Sequence, residues 1–109
     1  MFSVVMPLFN KEDSVPSTIR SILSQTYSNF ELIIINDGST DLSLKRAASF
    51  SDPRIRIIEQ QNLGASAARN RGIKAASNPY IAFMDADDIW EPEYLQTQRK
   101  LIQDYPEAG

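Results

Sequence analysis

The sequence contains neither cysteine nor histidine, and each absence excludes a class of chemistry. Without cysteine, the 109-residue chain can form no disulfide framework and no thiolate metal or redox site. Without histidine, Ser-His-Asp and Cys-His catalysis are excluded and a zinc site is disfavoured. A metal bound by this chain would need oxygen ligands, and it would therefore be a hard cation.

Positive charge and long apolar runs are also scarce. The chain carries 11 Lys and Arg against 14 Asp and Glu, for a formal net charge of -3, which disfavours nucleic-acid binding. No apolar run approaches the roughly 20 residues that span a bilayer. The first apolar run, residues 2–6, is too short for a signal peptide and is followed by Pro7. The length and the 42% hydrophobic content predict one globular domain.

Short apolar runs alternate with segments of helical periodicity along the whole chain. Residues 32–35 are uninterrupted Leu and Ile, which is typical of a parallel strand covered on both faces. Val15, Ile19, Ile22 and Leu23 recur at helical spacing, and Pro16 falls in the first turn of that segment. The predicted strands cover residues 2–6, 31–36, 55–59 and 80–84. The predicted helices cover residues 14–25, 42–50, 65–76 and 93–104, and residues 105–109 are predicted to be turn-like.

The order β-α-β-α-β-α-β-α predicts an α/β fold. We expect an open, mainly parallel sheet with helices on both faces. The third helix would pack through a face of small residues, with Ile73 among them, and the last helix would turn Leu95, Leu101 and Ile102 inward. Polar loops follow all four strands, at residues 7–10, 36–39, 61–64 and 85–88. Because ligands bind beyond the carboxyl ends of parallel strands, these loops should form one cleft.

The acidic segment Asp85-Ala86-Asp87-Asp88 follows the fourth strand directly. In an extended segment Asp85 and Asp87 point to the same side. They could hold one Mg²⁺ or Mn²⁺ together with a diphosphate that supplies further oxygen ligands. We predict Asp85, Asp87 and Asp88 as metal ligands. The alternative is a solvated acidic turn that caps the following helix.

Other candidate residues of the cleft are open to two interpretations. Asp37 can accept hydrogen bonds from a base or ribose, or it can form an Asx-turn with Gly38, while Asp41 fits a helix cap. Phe9 can stack on a base or pack beneath its loop. Arg69 and Arg71 are about 200° apart on a helix, so both cannot face one ligand, and we favour Arg69. Trp90 can line the cleft or anchor the last helix.

Two common nucleotide-binding motifs are missing from the sequence. There is no Gly-x-Gly-x-x-Gly after the first strand and no Gly-x-x-x-x-Gly-Lys. Dinucleotide dehydrogenases and P-loop enzymes are therefore poor fits.

Taken in order, several segments resemble family 2 glycosyltransferases with the nucleotide-sugar-binding GT-A fold. Each segment alone is a weak signal, but the ordered set covers nearly the whole chain. The matching segments are residues 4–10, 21–27, 30–41, 62–70 and 80–88.

This resemblance implies a transferase that uses a nucleotide-activated sugar, with a UDP-sugar as the expected donor. Asp85-Ala86-Asp87 looks like the family's Asp-x-Asp motif, which binds the diphosphate through Mn²⁺ or Mg²⁺. The resemblance assigns nucleotide contacts to Pro7, Phe9, Asp37, Arg69 and Asp85, and it implies the strand order 3-2-1-4. Asn36 is a departure, since many members carry a second Asp there.

The resemblance also sets expectations for a whole enzyme. Residues 1–109 correspond to the nucleotide-sugar-binding half, and the acceptor-binding half with its general base is expected beyond residue 109. We expect an inverting enzyme of bacterial surface polysaccharide synthesis, with a glycan or lipid-linked acceptor. It would be cytoplasmic, free or at the inner face of the membrane. Self-association through an exposed edge strand at residues 80–84, from Tyr80 to Met84, is also expected.

Two alternatives remain open at this point. One is a nucleotide-binding fragment that transfers nothing. The other is a receiver-like signalling domain, which needs acids after the first strand and a phosphoacceptor Asp after the third. Here those places hold residues 7–10 and Gln60-Gln61.

Overall fold

The computed structural model describes residues 1–104. Four strands alternate with four helices, as the sequence pattern predicts. The elements are β1 (Phe2–Leu8), α1 (Val15–Leu23), β2 (Phe30–Asp37), α2 (Ser43–Ala48), β3 (Ile55–Gln60), α3 (Ala65–Ala75), β4 (Tyr80–Phe83) and α4 (Tyr94–Asp104). The predicted turn-like tail, residues 105–109, lies outside the described residues.

The four strands form one parallel sheet in the order β3-β2-β1-β4. Val4 pairs with Leu32 of β2 and with Ala82 of β4, and Leu32 pairs with Ile55 of β3. This order confirms the one implied by the family resemblance. The strand order reverses direction between β1 and β4, so their carboxyl ends flank the position where an open α/β sheet binds ligands.

Strand β2 is apolar on both faces because helices cover both faces. Ile33 and Ile35 pack with Ala68 of α3. Leu32 and Ile34 face the opposite layer, where Ile19 of α1 lies in the larger core. All four β2 side chains have no exposed surface, which confirms that the uninterrupted apolar run marks a strand covered on both sides.

Strand β1 continues through Pro7 to Leu8, so the prediction that Pro7 ends it at residue 6 is wrong. The Val5 carbonyl accepts the Met84 N–H at 3.0 Å, which means that the main chain of Val5 points toward β4. Pro7 has the same direction two residues later, where the β4 pairing has ended. Its missing N–H therefore costs no ladder hydrogen bond.

Helix α3 packs on β1 through the smallest of its side chains. Ala68 and Gly72 are buried. A Cβ on Gly72 would lie 2.2 Å from Val5 Cγ1, so only glycine permits this approach without a shift. Ile73 is 45% exposed and is not part of this face, contrary to the prediction.

Helix α4 is anchored at its start. Leu95 is fully buried, whereas Leu101 is 48% exposed, so the prediction that Leu101 points inward is wrong. At about 100° per residue, a side chain six positions after Leu95 is far off its face, while Ile102, seven positions later, returns to it. Ile102 packs against the core. None of the helices within residues 1–104 has the length and apolar character needed to cross a bilayer.

Candidate nucleotide-diphosphate site

A cavity of about 460 Å³ lies at the carboxyl ends of the strands. The ends of β1 and β2 and the loops after β1, β3 and β4 contribute to it, together with the start of α3. The sequence predicted this meeting of loops, because the carboxyl ends of parallel strands share one edge of the sheet. The lining residues are Pro7, Leu8, Phe9, Lys11, Asp37, Asn62, Gly64, Ala65, Arg69, Asp85, Ala86 and Asp87.

Asp37, the last residue of β2, ties the β3–α3 loop to the sheet. Its Oδ1 accepts hydrogen bonds from Gln60 Nε2 at 2.9 Å and from the Leu63 N–H at 2.8 Å. Its Oδ2 accepts the Gly64 N–H at 3.0 Å. Burial opposes the charge on this carboxylate, but the three hydrogen bonds outweigh burial and lower the pKa of Asp37. The side chain is an ionised acceptor at the wall of the cavity.

Two glycines allow this loop to approach Asp37. Gly38 has φ +70°, and a Cβ there would lie 2.9 Å from the Asn62 nitrogen. Gly64 has φ +100°. Both residues have backbone conformations in the left-handed region that favours glycine, so glycine is the residue type expected at each position.

The acidic loop is held in place by Ser14, which directly precedes α1, and by Thr18 of α1. The Ala86 carbonyl accepts hydrogen bonds from Ser14 Oγ at 2.9 Å and from Thr18 Oγ1 at 3.1 Å. The Ala86 side chain is buried. Its neighbours Asp85 and Asp87 both line the cavity, consistent with their expected common side.

Each of these two aspartates faces a cation. Lys11 Nζ lies 3.3 Å from Asp87 Oδ2, and Arg69 Nη2 lies 3.9 Å from Asp85 Oδ1. All four side chains are at least 41% exposed, so the pairs are weakly held in high dielectric. The cavity therefore combines three carboxylates with two partly exposed cations.

Asp88 is not brought to this group, contrary to the prediction that it is a metal ligand. It is absent from the cavity lining, and its carboxylate accepts the N–H of the next residue, Ile89, at 2.8 Å. Its carbonyl accepts Thr18 Oγ1 at 2.7 Å. Asp88 follows Asp87 in a turn, and its carboxylate binds the adjacent main chain rather than facing the cavity.

Asp85 and Asp87 fit a divalent cation that another ligand helps to coordinate. Within residues 1–104, no three acidic side chains converge closely enough to enclose a metal ion. Two exposed carboxylates on one cavity wall nevertheless match Mg²⁺ or Mn²⁺, which bind through one or two carboxylates, water and phosphate oxygens. The donor set fits an open site of this kind.

Of the remaining candidate residues, two line the cavity and two lie outside it. Pro7 lines the cavity, and Phe9 does so with 41% of its surface exposed, so its ring is available to a ligand. Arg71 lines a separate depression beside Lys74. Trp90 is buried and stacks on Tyr94 with a centroid distance of 4.4 Å, so it anchors α4 rather than the cavity.

Two contacts of the site were not predicted from the sequence. Lys11 is a lining residue, and Gln60 binds Asp37. Lys11 had a detectable signal, because it is the first cation after β1 and the acidic segment follows the adjacent strand. Gln60 gave no such signal, because a polar residue at the end of a strand is common and does not by itself indicate a contact with Asp37.

Residues 3–109 match the family described as Glycosyl transferase family 2. The chain belongs to glycosyl transferase family 2. This membership confirms the resemblance drawn from the sequence segments. It also overturns the receiver-like alternative, which the proline at the end of β1 and the glutamines at the end of β3 already disfavoured.

Relatives of this family 2 chain cover almost all of it. UDP-Glc:alpha-D-GlcNAc-diphosphoundecaprenol beta-1,3-glucosyltransferase WfgD of Escherichia coli is 40% identical over 103 residues, which are 94% of this chain and 41% of WfgD. The chain spans between 15% and 41% of the length of three curated relatives that it matches.

Solved structures share the fold. The crystal structure of S. aureus TarS 1-349 in complex with UDP-GlcNAc superposes with a TM-score of 0.91 at 25% identity, covering 96% of this chain and 32% of TarS 1-349. Mannosyltransferase PcManGT from Pyrobaculum calidifontis, in complex with GDP-Man and Mn²⁺, gives a TM-score of 0.83 at 22% identity, covering 93% and 32%. The expected α/β fold of nucleotide-sugar transferases is confirmed.

Proposed function

We propose that this chain is the donor-binding part of a glycosyltransferase that takes its sugar from a nucleoside diphosphate sugar, with UDP as the nucleotide. The observation that carries the proposal is one cavity at the carboxyl ends of the strands that contains an ionised Asp37, an aspartate pair and two cations. TarS, a neighbour in fold, was solved with UDP-GlcNAc, and the name of WfgD specifies a UDP-Glc donor.

The proposed residue roles follow the length of a nucleotide across the cavity. Asp37 offers an ionised acceptor for an N–H or O–H of the nucleoside, and Phe9 offers an exposed ring for stacking beside Pro7. Arg69 offers a guanidinium to the diphosphate. Asp85 and Asp87 would hold Mn²⁺ or Mg²⁺, and PcManGT contains Mn²⁺ with its GDP-Man. When bound, such a cation supplies charge stabilisation to the departing diphosphate.

The wider setting is part of the same proposal. A glycan or lipid-linked acceptor of bacterial surface polysaccharide synthesis is supported by WfgD, whose name specifies a diphosphoundecaprenol acceptor. An inverting mechanism needs a general base within hydrogen-bond reach of the acceptor hydroxyl, and we assign none to the described cavity. A cytoplasmic location is proposed because a cysteine-free chain suits a reducing compartment.

Isothermal titration calorimetry with UDP in the presence of Mn²⁺ tests the proposal. We expect saturable binding to the wild-type chain, and we expect Asp87→Ala to lose the part of the affinity that depends on Mn²⁺. Asp13→Ala is the matched control, because the Asp13 side chain is fully exposed and lies outside the cavity lining. Absence of heat with UDP, GDP and dTDP alike would contradict the proposal, provided that circular dichroism shows folded protein.

A second measurement separates binding from catalysis. The non-catalytic alternative predicts that the isolated chain binds UDP-sugar without releasing UDP. Release of UDP from a UDP-sugar by the purified chain would refute that alternative.

A further inference from the structure

We propose that Lys11 has two successive partners, the Asp87 carboxylate and the diphosphate of the donor, and that it competes with the divalent cation for the first. This inference rests on the proposed function of the cavity. It assigns to Lys11 a role in coupling the binding of a divalent cation to the binding of a nucleoside diphosphate. Arg69 and Asp85 form a second pair of this kind in the same cavity.

The main chain of Lys11 is fixed while its side chain is not. The Lys11 N–H donates to Ser43 Oγ at 2.8 Å, and its carbonyl accepts the Val15 N–H at 2.9 Å at the start of α1. The side chain is 45% exposed and lines the cavity. The ammonium group can therefore move on its flexible four-carbon stem around an anchored base.

The contact with Asp87 is one that a divalent cation would replace. The Asp87 side chain is 53% exposed, and the 3.3 Å pair carries one hydrated charge on each side. A divalent ion brings twice the charge and binds carboxylate oxygens directly. The ammonium and the ion cannot share Asp87 equally, so occupation by one opposes occupation by the other.

The charges of the cavity explain why this exchange of partners would favour binding of the diphosphate. Its ionisable lining residues are Asp37, Asp85 and Asp87 against Lys11 and Arg69, so one negative charge is in excess. A diphosphate that binds without a divalent cation is repelled by this excess negative charge. When a divalent cation occupies the carboxylates, Lys11 is released within the same cavity and offers three N–H donors to phosphate oxygens. The cation and the diphosphate should therefore strengthen each other's binding.

Lys11→Met tests this inference, because it keeps the length of the side chain and removes the charge. Binding of Mn²⁺ alone is followed by the electron paramagnetic resonance signal of the free ion. We expect the variant to bind Mn²⁺ about threefold more tightly, the range of a lost exposed ion pair. At saturating Mn²⁺, calorimetry should show UDP binding weakened about tenfold, the range of one charge-assisted hydrogen bond.

Two control variants show whether an effect of Lys11→Met comes from the lost charge at this position. Lys45→Met removes an exposed lysine of α2, which is not a cavity residue, and should change neither affinity. Lys11→Arg keeps the charge and should retain most of the wild-type coupling. Opposite changes in the two affinities of Lys11→Met support the inference.

Other results overturn it in distinguishable ways. An unchanged or weaker Mn²⁺ affinity in folded Lys11→Met shows that Lys11 does not compete for Asp87, even if wild-type protein binds UDP as proposed. An unchanged UDP affinity shows that Lys11 does not contact the diphosphate. Failure of the wild-type chain to bind UDP with Mn²⁺ overturns the proposed function itself.

Discussion

Glu31 and Asp37 lie near opposite ends of β2, and each fastens a loop to the sheet. The Glu31 carboxylate accepts hydrogen bonds from Ser3 Oγ and from the Ser77 N–H, both at 2.6 Å, and it pairs with Arg56 Nη1 at 3.3 Å. Burial acts against its charge, but these contacts prevail and lower the pKa of Glu31. At the cavity end of β2, the hydrogen bonds to the Asp37 carboxylate likewise outweigh burial and lower the pKa of Asp37.

Both pKa shifts predict loss of stability in acid. A carboxylate whose pKa is lower in the folded chain stabilises it above the unfolded-state pKa, and that contribution is lost as pH falls through the folded-state value. We expect the urea midpoint to be flat near neutral pH and to fall below about pH 4.5, where unfolded carboxylates begin to bind protons.

Glu31→Gln identifies the source of that acid sensitivity. We expect it to lower the free energy of unfolding at pH 7 by about 2 kcal/mol, because the buried Ser3 hydroxyl, the Ser77 N–H and Arg56 lose a charged acceptor, and to flatten the acid limb. The matched control is Glu59→Gln, an exposed position on β3, which should keep the wild-type profile. An unchanged midpoint for Glu31→Gln would contradict this account of the contact.

Residue positions were predictable to the extent that they depend on strand ends. Asp37, Asp85 and Asp87 were placed in the cleft because polar residues after apolar runs must lie at one sheet edge. Arg69 was placed there because it lies near the start of the helix that follows the third of these loops. The displacement of Asp88 was not predictable, since it depends on a turn held by Thr18 of α1, 70 residues away in sequence. Long-range contacts of this kind leave no local pattern.

At the scale of elements, the contact between α3 and β1 depends on Gly72. The sequence predicted a helix face of small residues, and this face is real at Ala68 and Gly72. It could not predict Val5 as the partner of Gly72, because periodicity gives the face of a helix and not its depth or register on a sheet. The extension of β1 through Pro7 was not predicted either. It is possible because the pairing with β4 has already ended before Pro7, and the sequence does not show where that pairing ends.

Gly72→Ala should destabilise the chain by about 2 kcal/mol, the usual range for overpacking a core contact. The added Cβ would lie 2.2 Å from Val5 Cγ1, which outweighs the better helix propensity of alanine. Urea denaturation measures the change. Ser66→Ala, at an exposed position of α3, is the control and should be nearly neutral.

A second substitution shows whether the steric contact is the cause. In the Gly72→Ala background, Val5→Ala should cost less than it does in the wild-type chain, because it removes the atoms that the new methyl group meets. Equal costs in both backgrounds would assign the destabilisation of Gly72→Ala to another contact.

At the scale of the whole molecule, β4 forms one edge of the described sheet. It pairs with β1, and no other strand within residues 1–104 pairs with it. Phe83 is 47% exposed, and its main chain points away from β1, since Met84 donates to Val5. An apolar edge with free main-chain groups tends to pair with a second chain. We therefore propose that the chain associates with itself through this edge.

Sedimentation velocity at rising concentration tests this proposal. We expect a dimer in the wild-type chain, and Phe83→Pro should abolish it, because proline removes an outward N–H without breaking the ladder to β1. Ile89→Ser removes an exposed apolar side chain outside β4 and should leave the dimer intact. A wild-type chain that stays monomeric at high concentration would contradict the proposed association.

The most direct test of the account is to locate bound Mn²⁺ and UDP by paramagnetic broadening of backbone amide signals in nuclear magnetic resonance spectra. We expect Mn²⁺ to broaden the amides of Lys11, Gly64, Asp85, Ala86 and Asp87, and we expect UDP to strengthen this broadening. The amides of Glu31 and Ser77, at the other end of the sheet, should stay sharp. Broadening centred elsewhere, or broadening that UDP leaves unchanged, would contradict the claim that this cavity binds a nucleoside diphosphate with a divalent cation.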